Sequence, residues 1–172
     1  MIVKVSGELE GFSERGVYLR VGGLVYEVLL TAIDRREMEA RPTGEPLTLH
    51  TLYFIEGGVG GGGLTPTLVG FQNESDREFF QLFTRVEGIG ISNALRMLDA
   101  PIHRVARAIE EQDLKFLCTL KQVGERTARK IVASMLGKVA PFRLPEREAA
   151  DRAPKADSPA PADAPDGSWE AL

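Results

Sequence analysis

The sequence predicts an α+β protein: an N-terminal OB-type β-barrel, then an all-helical domain built on a double helix-hairpin-helix, then a disordered tail. Three observations predict it. Residues 1–70 carry short β-branched runs separated by glycine turns. Residues 72–138 switch to apolar residues at helical spacing, broken at glycines and at Pro101. From residue 139 prolines, alanines and acids take over. The expected domains are therefore 1–70, 71–138 and 139–172.

The strands are read in order. Residues 2–5 are short and β-branched. Residues 17–21 follow a turn at Arg15-Gly16, and Gly22-Gly23 makes a tight hairpin into 24–30. One helical turn is expected near 32–38. A strand over 47–55 leads to a glycine-rich stretch, and 68–71 closes the set. About five short strands with one helical turn suit a small OB-type barrel. Residues 57–63 hold six glycines around Val59. Glycine does not restrict φ and ψ, so a mobile hairpin tip is expected. The stretch lacks the Lys-Ser/Thr pair that a phosphate-cradling P-loop needs.

In the helical part Asn73 caps a helix over 74–83, with Asp76 and Glu78 in its first turn. Further helices are expected over 92–98, 102–110, 114–117 and 126–135. The breaks fall at Gly88-Ile89-Gly90, Pro101 and Val123-Gly124. Beyond residue 140 come six of the ten prolines, and Phe142, Leu144, Trp169 and Leu172 are the large apolar residues. Such a segment buries too little surface to offset its ordering entropy.

Composition excludes several classes. The chain has 172 residues, 43% of them apolar, enough for one ordinary domain or two small ones. Its one cysteine, Cys118, rules out a disulfide framework. It lies between Leu117 and Leu120, and a buried thiol is expected. No apolar run approaches the ~20 residues of a membrane span, and the start has no signal-peptide layout. A cytoplasmic, soluble protein without membrane contact is expected. The net charge of −4 hides an asymmetry. Residues 84–138 carry ten basic and six acidic groups, net +4, whereas 1–70 are net −3 and 139–172 net −3.

The positive segment contains an internal repeat with an offset of 34 residues. Val86-Glu87-Gly88-Ile89-Gly90 aligns with Leu120-Lys121-Gln122-Val123-Gly124. The stretches that follow, 91–98 and 125–132, align in turn. Each copy is an apolar-x-x-apolar-Gly turn that opens a helix, the layout of a helix-hairpin-helix. Glycines let backbone approach a phosphate closely. Unpaired N–H groups at the next helix start face outward with the positive end of the dipole. Ile89 and Val123 plug each hairpin into the core. Lysines and arginines nearby add charge: Arg85 and Arg96 at the first hairpin, Lys121, Arg126, Arg129 and Lys130 at the second. Such a device grips backbone phosphates and ignores sequence. The candidate DNA contacts are thus Gly88, Ile89, Gly90, Arg96, Lys121, Gln122, Val123, Gly124, Arg126, Arg129 and Lys130. Arg126, Arg129 and Lys130 lie at i, i+3 and i+4 on one helix side, with Ala128, Ile131, Val132 and Met135 left for the core.

With Val21-Gly22-Gly23, Tyr26-Glu27-Val28, Gly70-Phe71 and both hairpins in this order, the chain resembles the RuvA family over about residues 1–138. The resemblance implies an OB barrel and a tandem hairpin domain. It implies a homotetramer that holds four-way (Holliday) junction DNA open and planar, without catalysis of its own. It also implies a hexameric ATPase partner, RuvB, that drives branch migration, with a RuvC-type resolvase as a further candidate partner. Four departures stand out. Gln122 replaces the glycine usual in the family's second hairpin, where a side chain obstructs phosphate approach and strains the turn. Ser92 and Glu125 stand where lysines are frequent. The family's barrel carries an acidic pin of paired acids; here Glu56, followed by glycines, is the one acid left. Residues 141–172 are too short and too poor in apolar residues for the family's ATPase-binding third domain, so weak motor binding or none is expected.

The remaining residues argue for no other chemistry. His50 and His103 have no companions at ligand spacing, so no metal is expected. Glu110-Glu111-Asp113 lacks the second acidic set of a metal-dependent nuclease and reads as a helix-end turn. The barrel aromatics Phe12, Tyr18, Tyr26, Tyr53 and Phe54 are read mostly as core. No catalytic residue and no cofactor are expected. Two alternatives stay open: a repair nuclease or glycosylase anchored by the hairpins, and a diverged paralogue kept for protein contacts.

Overall fold

The structure, a computed structural model, describes residues 1–57 and 64–144. Five strands close into a barrel in the order β1-β2-β3-β5-β4: β1 Lys4–Phe12, β2 Gly16–Val21, β3 Leu24–Leu29, β4 Pro46–Gly57 and β5 Leu64–Phe71. Neighbours are antiparallel except β3 and β5, which meet in parallel at Leu29 and Val69. That one pair is what closes the sheet between β3 and β5 among the described residues. Helix α1, Ala32–Met38, crosses between β3 and β4 and is capped by the Thr31 side chain, which accepts from the Asp34 amide. This is the expected OB-type barrel.

Strands β1, β4 and β5 are longer than the sequence suggests, β4 by one residue at its start and two at its end. β1 runs to Phe12 rather than ending at residue 5, with Val5 and Leu9 inside and Lys4, Ser6, Glu8 and Glu10 toward solvent. The acids that depress strand propensity there occupy the outer face, where propensity counts least. Leu9 pairs with Leu19 and Gly11 with Tyr18, so Glu10 forms a bulge that bends the strand into the barrel. β5 begins at Leu64, and Pro66 stands opposite Ile55 in the register.

The barrel core is aliphatic. Val17, Leu19, Val28, Leu49 and Leu68 fill it together with Val5, Leu9, Leu30, Met38 and Leu47. Of the five barrel aromatics, Phe12 and Tyr26 are half-buried against this core and Phe54 against the helical domain's core, whereas Tyr18 and Tyr53 are about 40% exposed. For those two the correction has a simple cause. A five-stranded barrel is narrow, and β-branched and leucine side chains already fill it.

The helical domain follows directly: α2 Glu74–Phe83, α3 Ile91–Met97, α4 Ile102–Glu110, α5 Leu114–Leu117 and α6 Glu125–Met135. Phe79, Phe80, Phe83, Val105, Ile109, Leu117 and Ile131 form its centre, each with essentially no exposed surface. Phe80 of α2 lies 5.0 Å, ring to ring, from Phe71 of β5, and Phe71 joins Leu52 and Val69 in the helical domain's core rather than the barrel's own. Order continues past residue 138, where the sequence places the end of this domain. Val139 is buried, and a 3-10 turn, Ala140–Phe142, sets the Phe142 ring 5.7 Å from Phe79. Residues 145–172, the rest of the expected tail, lie outside the described residues.

Candidate nucleic-acid interface

The two hairpins share one backbone design. In the first, the Ile89 amide donates to the Val86 carbonyl at 3.0 Å; in the second, Val123 donates to Leu120 at 3.2 Å. Both closures trap four residues in a tight turn whose third position has positive φ: +84° at Gly88 and +63° at Gln122. Ile89 and Val123 are 4% and 5% exposed, so each plugs its hairpin into the core. Gly90 and Gly124 then adopt matching extended conformations, φ −82° and −90°, and open α3 and α6.

Neither helix start has a side-chain cap, whereas α1, α2 and α5 are capped by Thr31, Asn73 and Asp113. The glycine choice is equally informative. A Cβ added at Gly90 or Gly124 would meet no heavy atom within 4 Å. Their φ values suit any L residue. Glycine at these two places is therefore not required by this chain's own packing or backbone. What it preserves is open space outside the protein, directly over the first turn of each helix.

The charged candidates divide into paired and unpaired. Arg129 is paired with Glu125 on its own helix. Lys130 lies 3.9 Å from Glu87, in the turn of the other hairpin, which places the two hairpins side by side. Both pairs are largely exposed, so neither is held tightly and a phosphate can compete for the cation. Arg96 folds back on α3, donating to the Ser92 carbonyl at 3.1 Å and to Asn93 Oδ1 at 3.2 Å. Lys121 and Arg126 are exposed and make no ion pair among the described residues. Glu56 is the penultimate residue of β4, opposite Thr65; the adjoining tip, 58–63, lies outside the described residues.

The strain expected at Gln122 is visible in its dihedral. A left-handed conformation costs a side-chain-bearing residue roughly 1–2 kcal/mol. Gln112, the other non-glycine with positive φ among the described residues, follows the end of α4, where that conformation is ordinary.

The sequence carried no signal for Arg15, which reaches from the β1–β2 turn to the first hairpin and donates from Nη2 to Ser92 Oγ at 3.3 Å. Such a contact spans 77 residues, beyond any local pattern. Cys118 also departs from expectation. It caps the end of α5 and is exposed, because Leu117 and Leu120 take the inward positions.

The acidic residues away from the hairpins have structural work. Glu110 accepts from the Gly137 and Val139 amides at 3.0 and 3.3 Å, tying the end of α6 to α4. Asp113 caps α5 by accepting from the Phe116 amide. A cleft of about 290 Å³ between the domains is lined by Asp34, Glu37, Gln72, Asp76, His103 and Phe142. Its Glu37 and Asp76 carboxylates make it a poor seat for a polyanion. Burial raises the pKa of Asp34 above the ordinary carboxyl value, against hydrogen bonds from Thr31 Oγ1 (2.6 Å) and Gln72 Nε2 (3.0 Å).

Comparison with known proteins agrees with this geometry. Residues 80–134 match the family model described as a SAM-like helix-hairpin-helix tandem. The chain is 39% identical over 144 residues to the Holliday junction branch migration complex subunit RuvA of Rhodopirellula baltica, covering 84% of this chain and 69% of that one. It is 36% identical over 149 residues to the subunit of the same name from Desulforapulum autotrophicum, covering 87% and 68%. To the Synechococcus subunit of that name it is 35% identical over 144 residues, covering 80% and 62%. No described helix is long and apolar enough to cross a membrane.

Proposed function

The chain belongs to the RuvA family, and on that premise we propose that it is a non-catalytic DNA-binding subunit that holds four-way junctions through its two hairpins during recombination and repair. The observation that carries the reading is the pair of glycines, Gly90 and Gly124. Each keeps a side chain out of a place where the protein itself has room for one. Around them stand Lys121, Arg126, Arg129 and Lys130 on one hairpin and Arg96 on the other.

Backbone amides and cationic side chains aimed at phosphates read no base edges. Affinity is therefore insensitive to sequence and falls steeply with salt, as counterions return to the DNA. Preference for a junction over a linear duplex has to come from how several copies are arranged. Four arms call for four copies, and we take the working form to be a homotetramer. Glu56 would then lie toward the crossover, where its charge repels phosphates. A RuvB-type hexameric ATPase is the partner that would move the held junction, and a RuvC-type resolvase the partner that would cut it. The protein would work in the cytoplasm, on the chromosome.

The test is a gel shift that compares a four-way junction with linear duplex of the same sequence across a salt series. Junction binding persists to higher salt than duplex binding if the reading holds. Equal affinity for the two at matched salt contradicts it.

A further inference from the structure

Three cations of the second hairpin have no cationic counterpart in the first: Lys121 falls on Glu87, Arg129 on Leu95 and Arg126 on Ser92. At the offset of 34 residues, Gly90 matches Gly124, Arg96 matches Lys130, and Ser92 matches Arg126. The first hairpin thus has a hydroxyl where the second has a guanidinium. The structure fills that place from outside the motif, because Arg15 Nη2 lies 3.3 Å from Ser92 Oγ.

Arg15 is well placed to be more than a strut. Its side chain is exposed, and among the described residues it makes no ion pair. A guanidinium has five N–H donors, and one bond to Ser92 leaves most of them open. The turn that carries it is held on both sides. Ser13 N donates to the Gly16 carbonyl, and Leu30 N donates to the Arg15 carbonyl, both at 3.0 Å. The barrel is in turn fixed to the end of α3. Ile33 N donates to the Leu98 carbonyl at 3.2 Å, and Arg36 Nη2 donates to the Asp99 carbonyl at 2.8 Å. The position of Arg15 beside the hairpin is therefore set by the docking of the two domains.

We propose that Arg15 is a DNA phosphate contact of the first hairpin, lent by the barrel to the place that Arg126 occupies in the second. The inference rests on the reading of the hairpins as DNA-binding elements. It makes the interface composite: two hairpins from the helical domain and one arginine from the barrel. Arg15 and Arg96 on the first hairpin then match Arg126 and Lys130 on the second, while Lys121 and Arg129 remain particular to the second; Arg15 comes from 77 residues away.

The test measures affinity for a labelled four-way junction across a salt series, with full-length protein. Arg15→Ala and Arg126→Ala should each weaken binding about threefold to tenfold and lower the salt slope by about one. Lys4→Ala serves as the control. It removes an exposed charge from the far end of β1, roughly 25 Å along the strand, and should leave the slope alone. Ser92→Ala removes the hydrogen bond but not the charge, and should keep the slope. The sharpest arm is rescue: Ser92→Arg added to Arg15→Ala places a guanidinium at the repeat-equivalent position and should restore both affinity and slope. A purely structural strut predicts no such restoration. If Arg126→Ala lowers the slope and Arg15→Ala does not, the inference about Arg15 is wrong and the hairpin reading survives. Failure of Ser92→Arg to restore binding, at an unchanged melting temperature, also overturns it. If Arg126→Ala and Gly90→Asp are silent as well, the hairpin reading falls and takes the inference with it.

Discussion

Two sets of glycines divide this molecule. In the barrel, a Cβ at Gly16 would run into the Val28 carbonyl oxygen, and one at Gly70 would lie 2.6 Å from Val28 Cγ1 and 2.9 Å from Leu49 Cδ1. These glycines exist because the protein's own atoms leave no room. In the hairpins, Gly90 and Gly124 face open space. One set serves packing and the other keeps a surface clear. The same residue type thus answers two different demands; Gly22, Gly88 and Gly137 also face open space, but their positive φ ties them to turns.

That difference is open to attack, first at the barrel. Gly70→Ala forces a methyl against two core side chains. Overpacking of this kind costs about 1–3 kcal/mol, read as a lower urea midpoint or melting temperature. Junction affinity, measured where the variant is still folded, should stay near wild type. A Gly70→Ala protein of unchanged stability would erase the distinction from the barrel side.

A smaller effect tests the hairpin side. Gln122 occupies the turn position that Gly88 holds in the first copy, at φ +63°. Gln122→Gly should stabilise the fold by about 0.5–1 kcal/mol, since relief of the left-handed penalty exceeds the added freedom of the unfolded chain. It should also tighten junction binding by clearing the turn. Unchanged affinity would mean that the glutamine side chain already lies aside from the phosphate path.

The smallest effect is electrostatic and belongs to the seam between the domains. Burial raises the folded-state pKa of Asp34. Its contribution to stability is therefore fully present below the unfolded carboxyl value and is lost as pH rises through the folded value. Asp34→Asn should remove that share of the dependence. The stability difference between variant and wild type should shift in favour of the variant as pH rises from about 4 to 7. Parallel stability curves for the two proteins would place Asp34 outside the titration.

How much of this was legible in the sequence depends on the range of the pattern. The hairpin turns were legible because the repeat is local: five residues specify each turn, and both copies adopt the same backbone. The barrel was legible in kind but not in detail. β1 hid behind Glu8, Glu10 and two glycines, and barrel radius, which no short window reports, decided that leucines rather than tyrosines fill the interior. Phe142 has proline-rich neighbours that point to a tail and outweigh one aromatic ring in any local window, yet that ring packs on Phe79. Arg15 was invisible for the same reason as the domain seam: it acquires meaning only when the barrel docks on α3.

The central claim is that the hairpin glycines serve an outside partner rather than the fold. The most direct measurement takes Gly90→Asp and Gly124→Asp, singly and together, and records melting temperature and junction affinity on the same samples. An aspartate at these helix starts has room and can cap the first turn, so stability should hold or rise by a few tenths of a kcal/mol. The same carboxylate repels phosphate, so binding should fall at least tenfold for Gly90→Asp. Gly124→Asp should lose less, since Gln122 already burdens that hairpin, and the double variant should show no junction binding. A melting temperature that drops while the junction still binds would contradict the account.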